Sequence, residues 1–459
     1  MKKIYWSVLF ISCLGFSQKN IAEIPFNDTK RPLDVLYLPN QDKVVILQGQ
    51  KTTQVYGNLI TDVWAYDTDG FMQKLIADEK LANCIYSPIE TAFLIGKVSD
   101  KNEFPSEYKL NLDGVPSKYF KITERFRFFN DIYGLDLVNQ KDQIKIDLKK
   151  DDVYLKVIDL FSGAVNKVKL EKPDISKLEN KTTATFTEGL DFEVRINEST
   201  ISFVTKSINK NYKSATVYRA VYDLTGSKLG DYTYMVDAPK HAMILSDNGG
   251  GVSLVSDKEK KVSELAVNNY LVDKNTNEVY VYGLYGNESK ELTQTSNVPL
   301  GVYVFKFDAR GKLIWESHQD IIDIAGFNQQ QDVSKIKLSL RLRNEEVLCQ
   351  VFSKEKSYSN VLTLQKNNGE KKTITNLRID ENQNFKADAL IKSDLIQNSF
   401  KNFKFDKESL YLSQTSDTFQ QYLKARDKSK SLSYKSFISK KGFWVLESDN
   451  ESYCRLLFF

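Results

Sequence analysis

Histidine is almost missing from this chain: 459 residues carry two, His241 and His318. A three-histidine zinc centre is therefore excluded, and no HExxH, CxxC or other paired-cysteine spacing supplies another metal frame. The sequence has no GxSxG elbow, no GxxxxGK[ST] phosphate loop and no GxGxxG dinucleotide loop. Gly249-Gly250-Gly251, preceded by Asp247-Asn248 and followed by VSLV, reads as a turn. Proline is sparse at 9 residues, and no Ser/Gly tract or long charge block divides the chain into linked domains. Beyond the N-terminus no apolar run reaches the roughly 18–20 residues of a membrane span. Charge of one sign is not in excess either: 64 basic against 60 acidic residues leave +4. Without a basic stripe, nucleic acid is not an expected partner. The stretch LKARDKSKS (Leu423–Ser431) reads as a solvated helix end.

What is present is repetition. An alternating apolar run, a turn with Asp and Gly, and a second alternating run recur as VWAYDTDGFMQKLI from Val63, YKLNLDGVPSKYFKI from Tyr108 and YLKVIDLFSGAVNKVKL from Tyr154. The unit returns as VYRAVYDLTGSKLGDYTY from Val217, VYVFKFDARGKLIWES from Val302 and VLTLQKNNGEKKTITNL from Val361. Alternation places Val302, Val304 and Lys306 on one face of a strand and Tyr303, Phe305 and Phe307 on the other. In Asp308-Ala309-Arg310-Gly311 the Asp side chain can accept from nearby backbone N–H groups, while Gly takes the positive φ of a tight hairpin. Asp67–Gly70 and Asp223–Gly226 fit the same chemistry. A lone hairpin is marginal, so each needs neighbours.

Further short strands precede the hairpins: VVILQG from Val44, TAFLIG from Thr91, TISFVTK from Thr200, EVYVYGLY from Glu278 and EVLCQVF from Glu346. Each unit thus holds three or four antiparallel strands. The turn glycines Gly70, Gly114, Gly163, Gly226, Gly311 and Gly369 lie 44, 49, 63, 85 and 58 residues apart. The shorter intervals match a propeller blade, and the longest could hold an extra blade around HAMILSDNGGGVSLV or a long insertion. The repeat resembles β-propellers broadly, over most of the chain. It lacks the Trp-Asp and Gly-His marks of WD40 repeats and the paired glycines of kelch. The expected fold is an all-β propeller of six to eight blades, seven as the single figure, spanning residues 18–459. It closes by pairing the final hairpin FWVLESDNESYCRLLFF with the N-terminal strands. An outer-membrane barrel ending in Phe459 is the rival, disfavoured by short, irregular strands with charged turns. A helical decoration is expected near 386–428, in KADALIKSDLIQNSF (386–400) and SDTFQQYLKARDK (416–428), the latter opening with Asp417 and ending in basic residues as the helix dipole favours.

Residues 1–17 read as a signal peptide: Lys2-Lys3, an apolar Ile4–Leu14, and the small-x-small Gly15-Phe16-Ser17 before Gln18. The segment resembles the export signals of Bacteroidota envelope proteins, which often end in Phe-Ser-Gln. Phe10-Ile11-Ser12-Cys13 departs from a lipobox, whose first position is normally Leu, leaving lipid anchoring through Cys13 as the alternative. Cleavage removes two lysines and lowers the formal charge to +2. The ending completes the β pattern instead of appending a sorting module of the type 9 secretion kind, which favours the periplasm over surface display.

Cys84, Cys349 and Cys454 remain, an odd number for an exported chain. Either Cys349 and Cys454 pair, leaving one thiol free, or each acts as a small buried apolar residue. For calcium, Asp380–Asn384 alternates oxygen ligands, but a loop from Asp380 would place Phe385 and Ile391 where Gly and an acid are needed. Asp67–Gly70 is explained as hairpin chemistry. Both histidines read as solvated or half-buried structural residues. With 60 acidic residues, a glycosidase-type pair cannot be picked from sequence. No catalytic, cofactor or metal residue is therefore assigned and no cofactor is implied.

These features point to a non-enzymatic exported scaffold that binds another cell-envelope or outer-membrane protein, or a glycan. An accessory subunit of a secretion or uptake machine is the specific form. Abundant tyrosine, 24 residues, suits a binding surface. The alternative is a glycan- or peptide-cleaving propeller enzyme using carboxylates on blade loops.

Overall fold

A computed structural model describes residues 18–459 apart from connecting stretches, the longest being 98–106, 175–192, 246–269, 288–298, 321–335 and 387–402. Six antiparallel sheets are arranged as a six-bladed β-propeller. The first sheet is double. Its meanders Arg31–Leu38, Lys43–Lys51, Asn58–Asp67, Met72–Ile76 and Leu81–Tyr86, Ala92–Lys97, Glu107–Leu112, Val115–Lys121 are joined by one bridge, Ile60 to Leu81. The six-to-eight range therefore holds, and the figure of seven is reached only by counting this sheet twice.

The second sheet runs Phe128–Phe129, Tyr133–Asn139, Val153–Asp159, Val165–Lys169, and the third Glu193–Ile196, Thr200–Ile208, Ser214–Asp223, Lys228–Asp237. In the fourth, Ala242–Leu245 and Tyr270–Val272 share one partner, Val279–Asn287, followed by Pro299–Phe307 and Leu313–Asp320. The 85-residue interval thus holds the last strand of the third sheet and four strands of the fourth, while Gly249–Gly251 and the VSLV run lie outside the described residues. The fifth sheet comprises Ile336–Arg343, Glu346–Ser353, Tyr358–Gln365, Lys371–Ile379 and Phe385–Lys386.

The sixth sheet closes the ring. Leu432–Ile438, Phe443–Ser448 and Tyr453–Phe458 are completed by the N-terminal strand Lys19–Pro25, with Lys19 opposite Phe458 and Pro25 opposite Tyr453. Phe403–Phe405 adds to Leu432–Ile438 in parallel. The closed sheet then grips the first one: Lys435 Nζ donates to Val35 O (3.1 Å) and Trp444 Nε1 to Asp42 Oδ1 (3.2 Å).

Alternation does more than separate a buried face from a wet one. Val302 and Val304 enter a core shared with Val347 and Cys349 of the fifth sheet. Tyr303, Phe305 and Phe307 enter another, shared with Val204 and Val217 of the third. A strand in the middle of a blade is covered on both sides by neighbouring blades, so both of its faces are buried. Fourth strands such as Val165–Lys169 are largely exposed, and Lys19–Pro25 takes that outer place in the closing sheet.

The hairpin chemistry is as the sequence implies. Asp308 Oδ1 accepts from Arg310 N (2.9 Å) and Lys312 N (2.8 Å), with Gly311 at φ 88°. Asp223 Oδ1 accepts from Thr225 N and Ser227 N, both at 2.9 Å, and Asp67 Oδ1 from Asp69 N (3.0 Å) and Phe71 N (2.8 Å). The bonds Gly311 N to Asp308 O and Asp308 N to Lys312 O mark a type I turn with a glycine bulge.

Among the described residues two helices lie between the fifth and sixth sheets: α1 (Lys407–Thr415) and α2 (Asp417–Ala425). Asp406 caps α1 through Ser409 N at 2.7 Å. Ser416 ends α1, its N–H donating to Leu412 O, and its hydroxyl caps α2 at Phe419 N (3.3 Å). Gln414 Nε2 donates to Ser359 O (3.1 Å) and Thr375 O (3.2 Å) of the fifth sheet, while Ser409 and Ser436 hydroxyls meet at 2.6 Å on the sixth. Within the expected 416–428 stretch a helix runs over Asp417–Ala425, and α1 is an addition to it; the 386–400 stretch lies outside the described residues save Lys386, which ends a strand.

Candidate functional site: the hairpin face

A four-stranded meander has its first and third turns at one end and its second at the other. The hairpin face of the propeller is the side carrying the first and third turns. On it opens a cavity of about 1030 Å³. Its walls come from four sheets: Tyr37 of the first, Leu271–Asp273 of the fourth, Leu340–Arg343 of the fifth, and Phe437 and Ile438 of the sixth, with residues of α1 and the start of α2. These wall strands are the first of their meanders, so the cavity is the mouth of the ring.

The charges at this mouth are largely paired. Arg341 lies 4.4 Å from the Tyr411 ring centroid and makes a two-pronged ion pair with Glu408. Burial pulls the Arg341 guanidinium down to about 10, so it stays charged at neutral pH. Arg343 Nη1 donates to Thr415 O at 3.2 Å. Burial raises the Asp273 carboxyl, but Lys366 (2.8 Å) and Asn275 N–H (2.9 Å) outweigh it, and the net position is below the usual range. Tyr37 stacks on Phe437 at 5.7 Å and donates to Asp42 Oδ1. Asp417 is exposed at the start of α2. The walls of the mouth thus mix apolar and aromatic side chains with hydroxyls and with charges that are largely paired.

A second cavity of about 770 Å³ lies on the opposite side between the first and sixth sheets, bordered by Arg31, Asp34, Gln50, Lys435 and Asn450. Nearby, fully buried Glu447 is held by Arg426 and accepts from Tyr422 (2.7 Å) and Tyr434 (3.0 Å). Arg426 is therefore turned inward. The expectation that Leu423–Ser431 is a solvated helix end fails for Arg426 and for buried Leu423, because a buried carboxylate recruits the cation.

Exposed apolar side chains are concentrated on one side. Eight large ones are exposed among the described residues: Phe71, Met72, Val165, Leu229, Met235, Leu313, Ile314 and Ile438. Seven sit on the hairpin face. Phe71 and Met72 follow Gly70, Val165 follows Gly163, Leu229 follows Gly226, and Leu313 and Ile314 follow Gly311, each at the start of an outer strand. Ile438 lies at the mouth. Met235 alone of the eight lies far along its strand from the turn. Sequence reasoning stopped at the turn glycines, although the apolar residues just beyond them were the available signal.

The other residues singled out from sequence lie elsewhere. His318 is half-buried, its Nε2 3.1 Å from Asp237 O and its ring edge-on to Phe305 at 5.3 Å; His241 is an exposed turn residue at φ 64°. Neither lines the mouth. Cys349 and Cys454 are free and buried in separate cores, and burial pushes both thiols up to about 12. The apolar reading holds for these two and the Cys349–Cys454 bridge is not formed. The Cys84 side chain, Cys13 and Asp380–Asn384 lie outside the described residues. No group of three or more His, Cys, Asp or Glu side chains converges among the described residues, and no described helix is long and apolar enough to cross a membrane.

Tyrosine proves to be core material. Tyr218, Tyr222, Tyr234, Tyr280, Tyr303 and Tyr411 are buried, packed between sheets, and several hydroxyls find partners there, such as Tyr222 on Glu171 O at 2.6 Å. Their number therefore does not mark a binding surface.

No protein-family model and no curated protein matches the chain. Among solved structures it is similar to the Dos1 propeller, with 10% identity over 96% of this chain and 94% of that one and a TM-score of 0.34. The propeller domain of the Trilobed protease from Pyrococcus furiosus gives 8% identity, coverage of 78% and 93%, and a TM-score of 0.33. An oligogalacturonate lyase in complex with manganese gives 8%, coverage of 96% of both chains, and 0.36. Likenesses at this level carry no activity over to this chain.

Proposed function

We propose that this protein is an exported, non-enzymatic interaction module whose hairpin face docks an envelope protein, in the specific form an accessory subunit of an outer-membrane assembly. The carrying observation is the placement of seven of the eight exposed large apolar side chains on that face. A side chain that the fold leaves in water forgoes about 1.5–3 kcal/mol of burial, and concentration of such residues on one side supports docking there. Export rests on the sequence of residues 1–17. The periplasm is the expected compartment.

Two mouth carboxylates fit this reading better than the hydrolytic one: Glu408 and Asp273 are each held by a cation. The test is capture of the tagged chain from native envelopes in mild detergent, comparing wild type with Ile438→Ser, Leu313→Ser/Ile314→Ser and Met235→Ser. A stoichiometric partner lost with the hairpin-face variants but kept by Met235→Ser is expected, with unchanged unfolding midpoints. A partner indifferent to all three, or none at all, would refute the docking face.

A further inference from the structure

The cavity between the first and sixth sheets opens away from the hairpin face, at the joint that closes the ring. Its volume of about 770 Å³ falls within the range of small-molecule sites, about 300–1,000 Å³. Buried Val35 and Cys454 and half-buried Leu446 give it apolar walls. Among the described residues three charged side chains line it, Arg31, Asp34 and Lys435. Two are engaged with each other and with the backbone: Lys435 Nζ donates to Asp34 Oδ1 (3.3 Å) and Val35 O (3.1 Å), and Asp34 Oδ1 also accepts from Val35 N (2.8 Å). Arg31 is exposed and has no hydrogen bond or ion pair from its side chain among the described residues. The unbalanced charge of the cavity is therefore its guanidinium.

The other free polar groups are amides. Gln50, exposed near the end of Lys43–Lys51, has no side-chain partner among the described residues. Asn450 Oδ1 accepts from Ser433 Oγ (3.0 Å), which leaves the N–H donors of its amide unused. A guanidinium is a planar fork that grips a carboxylate with two parallel hydrogen bonds. Amides both give and take hydrogen bonds, as hydroxyl groups do, and an apolar wall accepts the C–H face of a ring. We propose that this cavity binds an acidic saccharide, its carboxylate on Arg31 and its hydroxyls on Gln50 and Asn450. Arg31 and Gln50 belong to the first sheet, and Asn450 to the last turn of the closing sheet. The ligand thus bridges the joint, and because it needs both sheets in place it stabilises the closed ring. The site is separate from the docking face, and neither reading depends on the other.

Saturation-transfer NMR of glucuronate with the purified protein tests the proposal, with glucose and glucose 6-phosphate as comparisons and inorganic phosphate as competitor. Saturable binding of glucuronate but not of glucose is expected, together with a higher urea midpoint when the site is filled. Arg31→Met should weaken binding about tenfold or more, and Gln50→Ala about two- to tenfold. Asn450→Gly, which keeps the left-handed turn at φ 63°, should do the same as Gln50→Ala. Arg310→Met, at an exposed position on the hairpin face, should change nothing. Arg31→Met should also leave the ligand-free midpoint and the capture of an envelope partner as in the wild type, so that loss of this site and loss of the docking face are distinct results. No binding of glucuronate, or binding indifferent to Arg31→Met, overturns the proposal. Equal binding of glucose removes the role of the carboxylate and overturns it as well. Tighter binding of glucose 6-phosphate assigns Arg31 to a phosphate group, and full displacement by inorganic phosphate leaves a simple anion site; either result refutes the acidic saccharide.

Discussion

Gly226→Ala puts the packing of neighbouring blades to the test. Gly226 has φ 88°, and an added Cβ would sit 2.5 Å from Val168 Cγ1 and 3.3 Å from Leu170 Cδ2, on the outer edge of the preceding sheet. The left-handed backbone costs an alanine about 1–2 kcal/mol. Overpacking adds about 1–3 kcal/mol, because half-buried Val168 is β-branched and has few rotamers to retreat into. The expected loss is about 2–5 kcal/mol. Gly163 is the internal control: φ is 72°, and its Cβ would meet nothing within 4 Å among the described residues, so Gly163→Ala should lose only the backbone share, about 1–2 kcal/mol. The entropy that any Gly→Ala change removes from the unfolded chain cancels between the two. For a chain this long, heat is a blunt assay, since about 1 kcal/mol moves the Tm by only about 1 °C on per-residue entropies. Urea midpoints followed by fluorescence are sharper. With a slope above about 3 kcal/mol/M for a chain of this size, the two variants should separate by at most roughly 0.3–1 M. Equal midpoints would show that contact between turn and neighbouring blade does not hold the ring together.

Removing residues 18–25 should open the ring, expose the edge of Tyr453–Phe458 and cause self-association visible by light scattering; a monomer with the wild-type urea midpoint would refute closure by this strand. Glu447→Ala leaves Arg426 without its carboxylate and should cost up to about 3–5 kcal/mol, nearer the lower end because Arg426 is 23% exposed and can reach water; Tyr422→Phe, losing one hydrogen bond, should cost about 1–1.5 kcal/mol. Both are read from urea midpoints. Cys349 and Cys454, with thiols pushed up to about 12, should resist alkylation at pH 8 in the native protein and react on unfolding, counted by mass spectrometry. Asp223 is held below its ordinary value first by the Thr225 hydroxyl, and Asp308 first by the Lys312 N–H. A carboxyl lower in the folded state stabilises above its unfolded value near about 3.9 and loses that contribution as pH falls through the folded one. Asp308→Asn should thus flatten the acid limb of the stability curve, and an unchanged limb would count against the hairpin bonds.

The sequence by itself determined the local structure. Period-two alternation and Asp-to-Gly turns dictate hairpins, because each needs only neighbours in the chain, and Asp308 with Gly311 behaves as those residues require. Repetition of that unit gave the fold class, and the alternating C-terminal hairpin pointed to closure. Tertiary structure decided where each face went. Val304 and Phe305 enter different cores because their strand is sandwiched between blades, which alternation alone does not reveal. The same sandwiching buries tyrosines that composition assigned to a surface, and it keeps Cys349 and Cys454 apart in separate cores. Arg426 turns inward for Glu447, 21 residues away in sequence, and no local pattern announces such a partner. The apolar residues after Gly70, Gly163, Gly226 and Gly311 were legible one at a time. Only the ring, by setting every first and third turn on one side, gathers them onto a single face.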